Sequence, residues 1–234
     1  MKHLIYILGL GLMISACGDK SSSSSTKSDL NNERDSISYF LGVTIGTDMK
    51  QGGTTDFDFD LMRNGMVDAA TKDSININPQ QIQMYVMSYF EKQDRLKIEN
   101  EISEVESWVK ENRNMDEVKR GNEGFFYRVI EEGTGEKPGV QNDVTVHYTG
   151  KLFDGTVFDS SIPKGEPVTF PLARVIRGWT YGVQLMSVGS KYEFFIPANL
   201  GYGPGTGPSG TLPPNSHLVF EVELLDIVQA GEAE

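Results

Sequence analysis

The apolar residues of this chain repeat with two different periods, and the change of period falls near Gly124. Before that point they recur at spacings of three and four residues, as on one face of a helix. After it, apolar and polar residues alternate, as they do in half-buried strands. With 234 residues, the chain has room for a helical part followed by a separate domain built on a sheet.

The first residues have the pattern of a secretory signal. A short positive start, Met1-Lys2-His3, precedes an apolar run from Leu4 to Ile14. Because a bilayer span needs about 20 apolar residues, this run is too short to cross a membrane but suits a signal peptide. It ends in Ile14-Ser15-Ala16-Cys17, which resembles the lipobox of bacterial lipoproteins.

Cys17 is the only cysteine of the chain, and it lies where a lipobox requires one. We therefore predict a lipoprotein signal peptide over residues 1–16 and lipidation at Cys17; the alternative is a plain secretory signal with an incidental cysteine. Residues 17–34 include five consecutive serines and are predicted to form a flexible tether that spans about 20 Å. Gly18 favours anchoring in the outer membrane, facing the periplasm.

Residues 35–119 are predicted to form a helical domain. Apolar residues at helical spacing predict a first helix that stops at Gly52-Gly53, where two glycines favour a C-terminal end. A second helix is expected to start near Asp58, with its apolar residues on one buried side.

A third helix, about 79–113, is predicted to be long, because Asn78 suits an N-cap and Pro79 a first helical residue. Its first part is apolar nearly all round, which predicts packing against the other helices and against another subunit. These residues are Ile82, Met84, Tyr85, Val86, Met87, Tyr89 and Phe90. Beyond Glu91 only a thin apolar seam remains, which predicts a largely solvated rod. We therefore expect a homodimer; an ordinary three-helix bundle is the alternative.

Residues 120–230 are predicted to form an α+β domain in which a curved antiparallel sheet wraps one short helix. Strands are expected at the alternating run from Val144 to Thr149, at Lys191 to Pro197 and at Leu218 to Val228. The short helix is expected around Gly178 to Met186. The predicted fold class is therefore α+β, preceded by an all-α dimerisation domain with a long connecting helix.

Composition and motifs argue against several chemistries. A net charge of −12 disfavours nucleic acid as a partner. One cysteine and three scattered histidines cannot supply a disulfide or a Cys-based zinc site, so no metal is expected. Gly205-x-Gly207-x-x-Gly210 has the glycine spacing of a dinucleotide-binding motif, but that motif needs a helix directly after it. Pro213-Pro214 follow instead and cannot start such a helix. We expect no cofactor.

Five segments of the second half carry a family resemblance. They are Val146-His147-Tyr148-Thr149-Gly150, Asp154-Gly155-Thr156-Val157-Phe158-Asp159-Ser160-Ser161, Val175-Ile176-Arg177-Gly178-Trp179, Gly201-Tyr202-Gly203 and Leu218-Val219-Phe220-Glu221-Val222-Glu223-Leu224. In this order and approximate spacing they resemble the FKBP-type peptidyl-prolyl isomerase domain over about 124–228. The helical part resembles, more loosely, the amino-terminal dimerisation domain of the macrophage-infectivity-potentiator branch of bacterial FKBPs.

The resemblance implies an apolar pocket with Trp179 as its floor. The residues that would bind substrate are Tyr148, Phe158, Val175, Ile176, Trp179, Tyr202 and Phe220. The catalytic set would be Asp159 as a carboxylate at the rim, Ile176 through its backbone N–H, and Tyr202 through its phenol. From the residues alone, Asp159 fits a turn carboxylate equally well. Core packing is the interpretation for Phe170, Phe194 and Phe195.

The resemblance further implies an enzyme, a peptidyl-prolyl cis-trans isomerase (rotamase) that accelerates X–Pro isomerisation during the folding of exported proteins. Expected partners are proline-containing unfolded or exported polypeptides, with macrolides such as tacrolimus as further ligands. The rim departs from the small family members at Ala173-Arg174 and in the loop from Pro204 to Ser209, which puts macrolide affinity in more doubt than activity. The segment 120–234 alone is expected to be monomeric and active on short peptides. The alternative function is a periplasmic chaperone with incidental isomerase activity.

Overall fold

The computed structural model describes residues 30, 32–51, 56–208 and 210–228, and for residue 51 the backbone alone. The predicted signal peptide, Cys17 and most of the predicted tether lie outside these residues. The chain forms two compact units, with the division between Asn76 and Ile77. In the described part of the chain, no helix combines the length and the apolar character needed to cross a membrane.

The described part of the first unit contains helices α1 (Glu33–Gln51) and α2 (Phe59–Thr71). The Asp58 carboxylate caps α2 by accepting a hydrogen bond from the Leu61 N–H at 2.9 Å. None of the described side chains on these helices is buried, and Leu41 and Leu61 are 58% and 67% exposed. Residues of both helices line an apolar cavity of about 150 Å³: Gly42, Ile45, Gly46, Met49, Phe59, Met62, Arg63 and Met66.

The second unit contains a long helix, a sheet and a short helix. Its elements are α3 (Pro79–Asn112), β1 (Val118–Arg120), β2 (Phe126–Glu131), β3 (Asp143–Leu152), β4 (Val157–Ser160), β5 (Val168–Pro171), α4 (Arg177–Val183), β6 (Lys191–Ile196) and β7 (Leu218–Val228). The Asn78 side chain caps α3 by accepting a hydrogen bond from the Gln80 N–H at 2.9 Å.

The described strands form one antiparallel sheet in the order β1-β2-β6-β7-β3-β4, and β5 also pairs with β3. Strand β3 pairs with β7 along its whole length, while its other edge pairs first with β5 and then with β4. The register shifts between Thr145 and Val146 and between Gly150 and Lys151, and such bulges bend a strand. This arrangement confirms the predicted α+β class with a curved antiparallel sheet.

The sheet is buried on both faces, because its strands alternate between two cores. Phe194 and Phe195 are neighbours on β6; both are fully buried, and they belong to different cores. The larger core lies between the sheet and α4 and contains Trp179. The smaller one lies on the opposite face and contains Val105 and Val109 of α3. The assignment of Phe194 and Phe195 to core packing is therefore correct.

The prediction that the later half of α3 is a largely solvated rod holds for residues 94–100, which are exposed, but is wrong for the last turns of the helix. Val105 and Val109 have no exposed surface and pack in one cluster with Phe126, Phe195 and Val219 of the sheet. The apolar seam is narrow because a helix lying on a sheet needs only one stripe. Helix α3 thus belongs to the same compact unit as the sheet, whereas the sequence placed a boundary at 119/120.

An ion-pair cluster fixes the end of α3 to the sheet. The Glu193 carboxylate on β6 is 7% exposed and accepts two hydrogen bonds from Arg113, at 2.7 and 3.0 Å. Arg128 on β2 contacts the same carboxylate at 2.8 Å. The hydrogen bond to Glu193 raises the pKa of Arg113 above its ordinary value. The guanidinium of Arg113 also lies over the rings of Trp108 and Phe195.

Candidate active site

A cavity of about 130 Å³ opens between α4 and the sheet. Strands β3, β4, β5 and β7, the start of α4 and the segment between β6 and β7 all contribute to its walls. The lining residues are Tyr148, Asp159, Phe170, Val175, Ile176, Trp179, Tyr202, Pro208 and Phe220. The walls are therefore mainly aromatic and aliphatic, with one carboxylate.

The indole of Trp179 is the centre of an aromatic box. It is 4% exposed, and three rings meet it edge to face: Tyr148 at 5.3 Å, Phe170 at 5.8 Å and Phe220 at 5.3 Å between centroids. Edge-to-face contacts are favourable for aromatic pairs and fix the mutual orientation of the rings. The cavity wall is therefore held in shape before any ligand enters.

Two glycines allow the close approaches on which this box depends. A Cβ at Gly150 on β3 would lie 2.7 Å from atoms of both Phe158 and Phe220, so only glycine fits between those rings. A Cβ at Gly178 would lie 2.6 Å from the side chain of Ile196, so glycine also lets α4 lie directly on β6. Phe158 itself meets Phe220 at 5.5 Å and Tyr202 at 6.3 Å, edge to face.

The single carboxylate of the cavity is held by a tyrosine. The Tyr148 hydroxyl donates a hydrogen bond of 2.7 Å to Oδ2 of Asp159. Burial, and then this hydrogen bond, raise the pKa of Tyr148 well above its ordinary value. The phenol is therefore a donor throughout the physiological pH range, and it fixes the direction in which Asp159 presents its carboxylate.

The backbone next to Asp159 is fastened to β3 by hydroxyl groups. The Ser161 hydroxyl, in a buried residue, accepts a hydrogen bond from the Tyr148 N–H at 2.9 Å and lies 3.0 Å from Nδ1 of His147. The hydroxyls of Ser160 and Thr149 are 3.0 Å apart. These contacts explain why serines follow Asp159, and they give His147 a structural position outside the cavity.

Three donors on residues that line the cavity have no hydrogen-bond partner within the described residues, and one of them is the buried Nε1 of Trp179. No described residue accepts a hydrogen bond from the backbone N–H of Ile176, at the start of α4. The Tyr202 hydroxyl likewise has no described partner, and burial, with the nearby Asp159 charge second, raises the pKa of Tyr202. The cavity thus offers an N–H and an O–H to an acceptor inside an apolar enclosure, which suits a neutral carbonyl group.

The structure brings most of the predicted site residues together. Tyr148, Asp159, Val175, Ile176, Trp179, Tyr202 and Phe220 line the cavity. Phe158 lies behind the lining, where it supports Tyr202 and Phe220. Cys17 is outside the described residues. In the described part of the chain, no cluster of three or more His, Cys, Asp or Glu side chains could hold a metal ion.

Two lining residues were missed from the sequence. Phe170 was assigned to core packing, but it faces the cavity and meets both Trp179 and Tyr148. Its place in the alternating Val168-Thr169-Phe170 run, on a strand paired with β3, was the signal available. Pro208 comes from an irregular segment, and no periodicity could have placed it.

The cavity and the antiparallel sheet around it agree with comparisons to known proteins. Residues 134–225 match the family described as FKBP-type peptidyl-prolyl cis-trans isomerase. Residues 34–129 match the domain described as amino terminal to FKBP-type peptidyl-prolyl isomerase. The chain therefore belongs to the FKBP-type peptidyl-prolyl cis-trans isomerase family, and it is an isomerase of X–Pro bonds.

Several known proteins are similar to this chain over most of its length. The outer membrane protein MIP of Legionella longbeachae is 35% identical over 86% of this chain and 89% of its own length. The FKBP-type isomerase FkpA of Aeromonas hydrophila is 39% identical over 81% of this chain and 74% of its own. The FKBP-type 22 kDa isomerase of Escherichia coli K12 is 37% identical over 82% and 94%. The predicted resemblance is confirmed.

Proposed function

We propose that the cavity around Trp179 is the site at which this isomerase turns X–Pro bonds. The proline ring would lie against the indole of Trp179 within the aromatic box. The Ile176 N–H would donate to a substrate carbonyl, and the Tyr202 hydroxyl would donate a second hydrogen bond. The Asp159 carboxylate would lie at the rim, near the twisted imide.

The barrier to rotation explains how such a site can catalyse without a nucleophile. Resonance keeps the peptide bond planar, and rotation about it costs about 18–20 kcal/mol. The planar form is more charge-separated than the twisted one, so an apolar pocket stabilises it less than water does. Walls shaped for the twisted imide, with two fixed donors, bind the transition state more strongly than the substrate. A millionfold acceleration requires about 8 kcal/mol of such preference.

One observation supports this proposal most directly: the Ile176 N–H and the Tyr202 hydroxyl have no described partners, and both residues line an enclosure whose walls are mainly aromatic and aliphatic. Both residues are half-buried, so their donors give up part of their hydration, and an acceptor that arrives with the substrate best explains their place. The Tyr148–Asp159 hydrogen bond adds a carboxylate whose direction is fixed in advance.

Removal of single polar groups tests the proposal. Tyr202→Phe deletes one hydroxyl and keeps the ring, so kcat/KM on a proline-containing peptide should fall about threefold to tenfold, corresponding to a loss of about 0.5–1.5 kcal/mol. Asp159→Leu exchanges the carboxylate for an apolar group of similar size, and should also slow the reaction. The double variant should be slowest. A protease-free isomerisation assay measures all three.

Tyr181→Phe is the matched control. Tyr181 lies on α4, like part of the cavity wall, but it does not line the cavity. This variant should keep the wild-type rate. Circular dichroism must show that every variant is folded. If the folded double variant isomerises as fast as the wild type, the assignment of the site is wrong.

We also propose that the protein acts in the cell envelope, as a homodimer anchored through Cys17. The name of the Legionella relative as an outer membrane protein supports an envelope location, and the lipobox-like Ile14-Ser15-Ala16-Cys17 supports the anchor. Its substrates would then be proline-containing exported polypeptides, with macrolides such as tacrolimus as competing ligands. The intact mass of membrane-extracted protein tests the anchor: a chain that begins before Cys17, or carries no acyl groups, would contradict it.

The exposed apolar side chains of α1, α2 and early α3 favour a second candidate function, a chaperone for unfolded clients. An exposed apolar surface of this kind is typical of surfaces that bind other proteins. Suppression of aggregation by the folded Asp159→Leu/Tyr202→Phe variant separates the two activities. Undiminished suppression would show that client binding does not need the isomerase site.

A further inference from the structure

The segment between β6 and β7 carries the Tyr202 side chain into the cavity, and its two ends are tied together. The Ala198 N–H donates a hydrogen bond to Nδ1 of His217 at 3.2 Å. The Gly203 N–H donates to the Ala198 carbonyl at 3.0 Å. The position of the Tyr202 hydroxyl therefore depends on how these ends are held against the rest of the domain.

Helix α3 holds both ends from outside the cavity. The Glu101 carboxylate, in a residue that is 8% exposed, accepts a hydrogen bond from the Asn199 N–H at 2.8 Å. Oε2 of Glu104 lies 2.8 Å from Nε2 of His217. Because Nδ1 of His217 accepts from the Ala198 N–H, its proton lies on Nε2, and the ring donates to Glu104.

The same face of α3 also contacts the turn that leads to Asp159. The indole of Trp108 stacks on Phe153 at 4.3 Å, and Phe153 lies between β3 and β4. Glu101, Glu104 and Trp108 are spaced by three and four residues, so they share one face of the helix. One helix face thus supports two of the segments that bring polar groups to the cavity, those that carry Tyr202 and Asp159.

We infer that Glu101 and Glu104 are positioning residues for the isomerase reaction, through their hold on the segment that carries Tyr202. This inference rests on the proposed role of the Tyr202 hydroxyl. A hydrogen bond to a carboxylate is stronger than one to a neutral acceptor, so Glu101 fixes the Asn199 backbone firmly. Without it, the Asn199 N–H loses its acceptor and the segment can shift. A small shift of a donor weakens transition-state binding more than substrate binding.

Three substitutions in the full chain test the inference. Glu101→Ala should lower kcat/KM on a short proline-containing peptide by about threefold, mainly through kcat and by no more than Tyr202→Phe does. Glu101→Gln keeps an acceptor oxygen and should recover most of the loss. Glu106→Ala is the matched control, because Glu106 pairs with Lys110 at 2.6 Å on the same helix and makes no hydrogen bond or ion pair with the described residues of the segment. It should keep the wild-type rate.

Glu104→Ala tests the same inference if Glu101→Ala, at a buried position, fails to fold. The Glu104 side chain is 68% exposed, so its removal leaves no cavity, and kcat/KM should fall by about twofold. Amide hydrogen exchange at Asn199 and Tyr202 should quicken in Glu101→Ala and Glu104→Ala but not in Glu106→Ala. Wild-type rates and wild-type exchange in both variants would overturn the inference.

A double-mutant cycle with Tyr202→Phe shows whether Glu101 acts through the tyrosine. If it does, Glu101→Ala should lose much of its effect in the Tyr202→Phe background. Should the two losses instead multiply in full while Tyr202→Phe alone is slow, the inference is wrong and the role of Tyr202 stands. Should Tyr202→Phe alone match the wild type, the proposed role of Tyr202 is wrong, and the inference falls with it.

Discussion

Apolar side chains are exposed on α1, α2 and the start of α3, whereas in the sheet domain they are mostly buried. Tyr85 near the start of α3 is 75% exposed, and Leu61 on α2 is 67% exposed. In the sheet domain, Phe194 and Phe195 on neighbouring positions have no exposed surface. The sheet domain therefore has a complete hydrophobic core, while the early helices leave large apolar side chains exposed in the single chain.

This difference indicates that the two regions are stabilised from different sources. Two cores, one on each face of the sheet, give the sheet domain its own hydrophobic stabilisation. The early helices bury little apolar surface within the single chain, so packing within it stabilises them less. Helix α3 belongs to both descriptions: its beginning is exposed, and its end forms part of the second core.

The largest expected effect comes from where the chain is cut. A chain of residues 77–234 keeps α3 and should be folded and active on short peptides. A chain of residues 120–234 loses Val105, Val109 and Trp108 from the second core and leaves Glu193 without Arg113. Its free energy of unfolding should be lower by on the order of 5 kcal/mol. The expectation that residues 120–234 alone are active on short peptides stays a prediction.

Denaturant unfolding of the two truncated chains, followed by circular dichroism, makes the comparison. The lower midpoint should belong to the shorter chain, which should also expose apolar surface to a fluorescent dye. Equal midpoints would mean that the second core contributes nothing to stability. Helix α3 would then add nothing to the free energy of unfolding of the sheet domain.

An intermediate effect is expected on association. Tyr85→Glu places a charge on the exposed apolar start of α3 and should weaken the proposed dimer by about 2 kcal/mol, roughly 30-fold in dissociation constant. Asn100→Glu adds the same charge at an exposed position later on α3 and should leave the dimer intact. Light scattering at micromolar concentration measures the molar mass of both variants and of the wild type. A monomeric wild type would contradict the proposed dimer.

Most of the fold could be predicted because both periods are clear in the sequence. The alternation in β7 and the Asn78-Pro79 start of α3 each have a local physical cause. The surface on which Val105 and Val109 pack could not be predicted, because it depends on which strands place apolar residues on the face of the sheet opposite α4. Strands β2, β6 and β7 each contribute one residue to that surface, Phe126, Phe195 and Val219, beside polar neighbours on the same face, and periodicity alone does not mark such single residues as core.

The residues of the candidate site likewise fall into those that the sequence could predict and those that it could not. Residues within the five family segments, such as Trp179 and Tyr202, could be placed by resemblance. Phe170 and Pro208 lie outside those segments and were missed. The supporting contacts, such as Glu101 to Asn199, join residues 98 positions apart and leave no local pattern in the sequence.

The smallest expected effect is on the pH dependence of stability, through the buried phenol of Tyr148. It tests whether the site is packed or open to solvent. Burial and the hydrogen bond to Asp159 raise the pKa of Tyr148, so the folded state keeps a proton that the unfolded state loses above about pH 10. Stability from this group is therefore complete below that pH and falls as pH rises, by about 1.4 kcal/mol per pH unit. Tyr148→Phe lacks the proton, so its loss of stability between pH 8 and pH 11 should be smaller than that of the wild type. Urea unfolding at both pH values measures this, and an equal loss in the two proteins would show that the phenol ionises as freely as in water.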